Sequence, residues 1–238
     1  MKVSVIIPVH NERSTIGEII DQVNRLPFEK EIIVVDDGST DGTVEVLKKR
    51  EREVTEIHLS PVNFGKGAAV RTGLTYVTGD VVMIQHSHVE QDPRKYLQLL
   101  EEIKRGADVV YGSRFLQPNP RITLIKRLAN KFLTFLTNLL YGSSLSDMET
   151  AYKMFRTDAA RRLSLRCIGS EFETEITSQF LYLGYKIAEV PVSYDPRPED
   201  IDKKIHWYDG FRAIYDLFYY RSILRIRFYS PPKKKQAS

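Results

Sequence analysis

Two histidines and a carboxylate at alternate positions, His86, His88 and Glu90, stand within V-V-M-I-Q-H-S-H-V-E-Q-D-P-R, residues 81–94. In extended backbone alternate side chains point the same way, so the three project from one side of the chain. Imidazole with carboxylate suits Mn, Zn, Fe or Co better than Mg, which takes carboxylate and water. One reading is therefore a metal site made of two imidazoles and one carboxylate. A second is a histidine, protonated near its usual pKa of about 6.5, that touches an anion directly. The third is a site that binds its ligand poorly and has lost catalysis, with both histidines merely loop residues. Asp92 is adjacent, but its place before Pro93 marks it as a helix N-cap.

Other charged groups cluster in short loops. Asp36 and Asp37 sit in V-V-D-D-G-S-T-D-G-T. They are either acceptors for a ligand's N–H and hydroxyl groups or turn residues, with Ser39, Thr40 and Asp41 capping the next helix. Lys66, in N-F-G-K-G, opens a helix where an anion meets both the dipole and an ammonium, unless it is a solvated surface lysine. Arg114, Lys126, Arg127 and Arg197 either gather around a phosphate, which a guanidinium fork matches, or form exposed salt bridges. Asp147 and Glu149 are the carboxylates available as a general base should a hydroxyl need one. Glu171, Glu173 and Glu175 are expected to face solvent or cap their helix, and His206 to be structural.

The elements that must position these groups follow from the apolar pattern. Val3–Pro8, residues 31–35 and Val81–Ile84 read as buried parallel strands, with a weaker one at Thr55–Leu59. Ile16, Ile19, Ile20 and Val23 repeat at helical spacing between the first two. Further helices are expected over Val44–Arg50, residues 63–78 and from Pro93, and a strand over Asp108–Tyr111. Strands joined by helices give right-handed crossovers that bring the polar loops to one sheet edge. The second half predicts a long amphipathic helix over Ile122–Tyr141, its apolar face carrying Leu124, Leu128, Phe132, Phe135, Leu136 and Leu139. A strand at Ala151–Phe155, helices at Asp158–Leu165 and Phe172–Leu183, a strand at Lys186–Tyr194 and a last helix from Trp207 to Arg225 complete the chain. The expectation is an α/β catalytic domain over residues 1–206, with a doubly wound, mostly parallel sheet, then an amphipathic helix and basic tail over 207–238.

With 238 residues, 42% hydrophobic and 28% charged, the chain has material for a full α/β core. One cysteine, Cys167, excludes an internal disulfide, fits a reducing interior and is expected to be a buried apolar group. The N-terminal apolar run is too short for a signal peptide, and no run reaches the ~18 apolar residues of a membrane span. Much of the excess positive charge lies in Arg225, Arg227 and Lys233–Lys235. Trp207, Phe211, Ile214, Tyr215 and Phe218 share one helical face beside it. An aromatic face with a basic end suits an anionic membrane surface, at about 1 kcal/mol per basic residue; the other reading is a helix packed on the core.

V-S-V-I-I-P-V-H-N-E, V-V-D-D-G-S-T-D-G-T, N-F-G-K-G-A-A-V-R-T-G, G-S-R-F, D-M-E-T-A-Y-K-M-F-R and E-V-P-V-S-Y, in this order over residues 1–212, resemble the family 2 glycosyltransferases of GT-A fold. Within them the polyprenyl (dolichyl) phosphate mannose or glucose synthases are most similar. The resemblance implies a sugar-nucleotide donor, GDP-mannose or UDP-glucose. It also implies a polyprenyl phosphate acceptor and a single in-line displacement with inversion. Pro8 and Val9 would line the base pocket, Glu12, Asp36 and Asp37 would receive base and ribose, and Arg114 and Arg197 would face the lipid phosphate. An anionic acceptor needs no strong base, leaving Asp147 and Glu149 to position sugar hydroxyls. The family's Asp-x-Asp position reads His86-Ser87-His88 here, where a divalent ion, Mn, Zn or Co before Mg, would neutralise the departing diphosphate. The resulting expectation is a cytoplasmic enzyme, peripheral at the membrane's cytoplasmic face or docked on a membrane protein, with no nucleic-acid partner. A transferase acting on a glycan or small-molecule hydroxyl, and a non-catalytic nucleotide-binding subunit, are the alternatives.

Overall fold

The computed structural model describes residues 1–86, 95–169, 171–193 and 207–227, with side chains of the last segment over 213–223. His88, Glu90, Asp92, Arg197, His206 and the lysine tail lie outside the described residues.

Seven strands form one sheet: β1 (Val3–Val9), β2 (Lys30–Asp36), β3 (Glu56–Leu59), β4 (Val81–Ile84), β5 (Val109–Ser113), β6 (Lys153–Arg156) and β7 (Ile187–Pro191). Their order is β3-β2-β1-β4-β6-β5-β7. β3, β2, β1 and β4 run parallel, β5 and β7 pair in parallel, and β6 alone opposes its neighbours. After β3 the chain crosses back to lay β4 on the other side of β1. This reversal opens a crevice at the carboxyl ends of β1 and β4, where open α/β sheets bind ligands.

β1 is buried at every position because helices cover both faces of the sheet. On one face pack α1 (Ile16–Asn24), α2 (Thr43–Lys49) and α4 (Tyr96–Lys104); Ile16, Ile19, Ile20 and Val23 are all buried, as their spacing predicts. On the other pack α3 (Lys66–Thr75), α6 (Thr157–Arg161) and α7 (Phe172–Tyr182), through Val70, Ala159, Phe172, Ile176 and Phe180. Cys167 belongs to this second core, as expected.

The long helix α5 (Leu124–Tyr141) ends at Gly142, whose φ of 67° suits a residue without Cβ. It departs from the usual amphipathic arrangement. Leu124, Leu128, Phe132, Phe135 and Leu139 point to solvent, while Leu133, Leu136 and Leu140 pack inward against Leu145, Met148 and Leu217. The final helix, α8 (Trp207–Arg227), buries Leu217 and Tyr220, so it rests on the domain. Of the face expected at a membrane, Tyr215 and Phe218 are exposed and Ile214 is half-buried.

Candidate functional site

At the rim of β1 and β2 the predicted nucleotide residues take different parts. Val9 is a core side chain and Pro8 is buried within the strand that leads to the rim. Asp37 accepts the backbone N–H groups of Phe64 (2.9 Å) and Gly65 (2.6 Å), so it ties the loop before α3 to the sheet edge. That is the turn-forming reading, not a direct base contact. Gly65 makes the tie possible: its φ of 104° is one that L side chains rarely adopt. Asp36 accepts the Ser39 N–H through Oδ2 at 3.0 Å, while its buried Oδ1 meets no donor among the described residues. A buried carboxylate oxygen without a donor is costly, and a ligand N–H or hydroxyl would satisfy it. Glu12 is buried at the entry to α1, where its Oε2 accepts the Thr15 hydroxyl at 2.6 Å.

Asp37 thereby fixes the start of α3 and with it Lys66. The Lys66 ammonium is directed inward, 2.9 Å from His86 Nε2 and ion-paired with Glu173, which excludes the solvated-lysine reading. Glu173 is buried on α7 and also holds Lys153, at 2.6 Å. Burial works against the Glu173 charge, but Lys153 and Lys66 outweigh it and keep the carboxyl ionised. Glu175 is likewise buried and accepts the N–H groups of Arg166 and Cys167, whereas Glu171 accepts those of Ile168 and Gly169. The expectation that Glu173 and Glu175 face solvent is thus overturned: their partners are cations and backbone donors from other elements.

Lys153 comes from the first residue of β6. Because β6 is antiparallel, it starts where β4 ends, and Lys153 pairs with Ile84. Its fully buried ammonium lies 4.4 Å from the Tyr111 ring centroid and donates to Met148 O at 3.2 Å.

Across the crevice, Arg114 follows β5 and is clamped by Asp147: Nε to Oδ2 at 2.7 Å and Nη2 to Oδ1 at 2.8 Å. Glu189 on β7 supports the clamp by accepting the N–H groups of Ser146 (2.8 Å) and Asp147 (3.1 Å). Both Asp147 carboxylate oxygens are thus engaged by the guanidinium. Glu149 differs: burial, then the nearby Glu173 charge, push its carboxyl up. Arg127 closes the 115–119 loop by donating to Asn119 O at 2.7 Å, and with Lys131 it lines a pocket of about 250 Å³.

His86 links the two sides. Burial, then the Lys66 charge, push its imidazole down to about 3, with Lys153 and Arg114 also within electrostatic reach. Both effects favour the neutral imidazole over the protonated one. Neutral imidazole is the form that ligates metal. The residue thus fits one member of the expected His86, His88 and Glu90 set, although an ion at Nε2 requires the Lys66 ammonium to move. Among the described residues no three His, Cys, Asp or Glu are grouped to hold a metal.

A mostly parallel sheet with acidic and cationic groups at its switch point is the arrangement of a ligand-binding open α/β fold. Residues 4–164 match glycosyl transferase family 2, and this chain belongs to that family. It is 27% identical over 205 residues to the glycosyltransferase AglJ of Haloferax volcanii, covering 85% of this chain and 66% of the relative. It is 28% identical over 223 residues to the undecaprenyl-phosphate 4-deoxy-4-formamido-L-arabinose transferase of Salmonella choleraesuis, covering 91% and 66%. The chain spans about two thirds of the length of both relatives. Glucosyl-3-phosphoglycerate synthase from Mycobacterium tuberculosis, solved with Mn2+, UDP and phosphoglyceric acid, superposes with a TM-score of 0.69 at 19% identity, over 92% of this chain and 78% of that one. The fold is GT-A.

Proposed function

We propose that this glycosyltransferase moves a hexose, mannose before glucose, from a GDP- or UDP-linked donor to a polyprenyl (dolichyl) phosphate at a membrane surface. The observation that carries the proposal is a pair of cations that both act on His86: Lys66 at the start of α3, and Arg114 held by Asp147. One is placed for a departing diphosphate and the other for an incoming phosphate. A phosphate oxygen attacks the anomeric carbon as the bond from that carbon to the diphosphate oxygen breaks, with inversion. No proton moves, because the acceptor is already anionic. This agrees with a site in which Asp147 is committed to Arg114. Asp36 Oδ1 receives a donor from the nucleoside, and Arg197 joins Arg114 at the acceptor phosphate. A divalent ion held by His86, His88 and Glu90 would supply Lewis-acid neutralisation of the leaving group.

The upward-shifted carboxyl of Glu149 favours one second reading, transfer to a sugar hydroxyl with Glu149 as base. A radiolabelled transfer assay separates the two, run over several sugar nucleotides with polyprenyl phosphate, glycans and divalent ions. A phosphate-linked product supports the first. Transfer only to hydroxyls supports the second, and nucleotide binding without turnover under any condition rejects both.

A further inference from the structure

The outward face of α5 is large, apolar and flanked by one sign of charge. Leu124, Ile125, Leu128, Phe132, Phe135 and Leu139 are each between 53% and 71% exposed. At 3.6 residues per turn they form one continuous stripe running the length of the helix. Contiguous exposed apolar surface of this kind marks a contact with a partner or a bilayer. The charge around it selects between them. Between Phe115 and Ser146 there is no Asp or Glu, while Arg121, Lys126, Arg127 and Lys131 are all basic. A second copy of the chain meeting this face about a two-fold axis would set those cations against each other, which is unfavourable. An anionic lipid surface accepts both the stripe and the cations.

We propose that the outward face of α5 is the surface by which this chain lies on an anionic bilayer. The helix itself links that surface to the site. On its inner side the Asn130 amide is 2.8 Å from Arg114 Nη2 in its satisfied orientation, and Thr134 Oγ1 accepts the Met148 N–H at 3.2 Å. One helix diameter, about 10 Å, therefore separates the bilayer from the Arg114 clamp. A membrane-borne phosphate reaches the site with its lipid chain still in the bilayer. That use rests on the acceptor reading above, whereas the docking itself does not. No described helix is long and apolar enough to cross a membrane. α5 lies in the interface plane.

The test is co-sedimentation of the full chain with phosphatidylcholine vesicles, with and without about one third phosphatidylglycerol. The wild type is expected to pellet with the anionic vesicles, less so as salt rises, and weakly with the neutral ones. Leu128→Ser with Phe135→Ser is expected to weaken that partition at least about tenfold without lowering the melting temperature, since both side chains are exposed. Phe218→Ser with Tyr219→Ser, on α8, is expected to leave it within about twofold. The lysine tail is present in every variant. The proposal is overturned if the wild type stays in solution, if the α5 variant pellets like wild type, or if only the α8 variant loses binding. A wild-type dimer that the α5 variant splits, without vesicle binding, assigns the face to a second copy and also overturns it. No sugar donor is present, so failure here and failure of the transfer assay are independent results.

Discussion

Arg114 and Asp147 are held together by two side-chain bonds, and the Arg114 backbone N–H closes a third to the same carboxylate at 3.0 Å. The carboxylate is fully buried, so it fixes the fork in one orientation. Asp147→Asn keeps the shape but removes the charge. It is expected to raise the KM for polyprenyl phosphate about tenfold or more, with a smaller change in kcat and an unchanged pH profile. A collapse of kcat with loss of the basic limb would instead make Asp147 the base. Asp147→Ala removes the carboxylate from a part-buried guanidinium and is expected to destabilise the fold by about 3 kcal/mol in a urea titration.

Lys66, beside His86 at the start of α3, is the cation proposed for the departing diphosphate. Lys66→Met is expected to weaken UDP or GDP binding by roughly tenfold to a hundredfold in calorimetry, and Lys66→Arg to recover part of it. The variant folds, because Glu173 keeps Lys153 at 2.6 Å. Unchanged nucleotide affinity in Lys66→Met would remove the residue from the donor site.

Chelation tests the metal. Transfer in EDTA is expected to fall at least about tenfold, with Mn or Co restoring it better than Mg, and His86→Ala is expected to abolish the restoration. Full activity in chelator rejects the ion. Unchanged activity in a variant with both His86 and His88 replaced by alanine removes both histidines from the reaction.

Acid stability should reflect Glu31, which is buried within β2 and accepts the Ser4 hydroxyl at 2.5 Å and the Thr78 N–H at 2.7 Å. Burial raises its pKa, but bonds from Lys2, Ser4 and Thr78 outweigh this and hold the carboxyl at about 2 against a reference of 4.5. A depressed folded pKa contributes stability above the unfolded value, and that stability is lost as pH falls from 4.5 through 2. The contribution at neutral pH is roughly 2–3 kcal/mol, since the Lys2 bond is partly screened by solvent. Glu31→Gln should be less stable than wild type at pH 7 and converge with it near pH 2, as followed by thermal melts.

The parallel half of the sheet was legible because β1, β2 and β4 are short β-branched runs ending in polar loops, the pattern of strands buried on both faces. Lys66 was singled out from its glycine-flanked helix start, and Arg114 from G-S-R-F through the family resemblance. Glu173 and Lys153 were not. A charge within an apolar element reads as solvent-facing until its partner is known, and Lys66 lies 107 residues from Glu173. Helical periodicity located the α5 stripe but not its direction, because the same spacing fits a buried face and a surface one. The reversal of β6 leaves no trace in periodicity at all.

That reversed strand has a consequence for how the site is assembled. A parallel strand would enter from the far side of the sheet and contribute to the rim only as it leaves. β6 enters at the rim itself, so one uninterrupted stretch of seven residues from Asp147 to Lys153 delivers the arginine holder, the high-pKa carboxyl of Glu149 and the buried ammonium. That one short peptide thus reaches both Arg114, through Asp147, and Lys66, through the Glu173 that Lys153 holds.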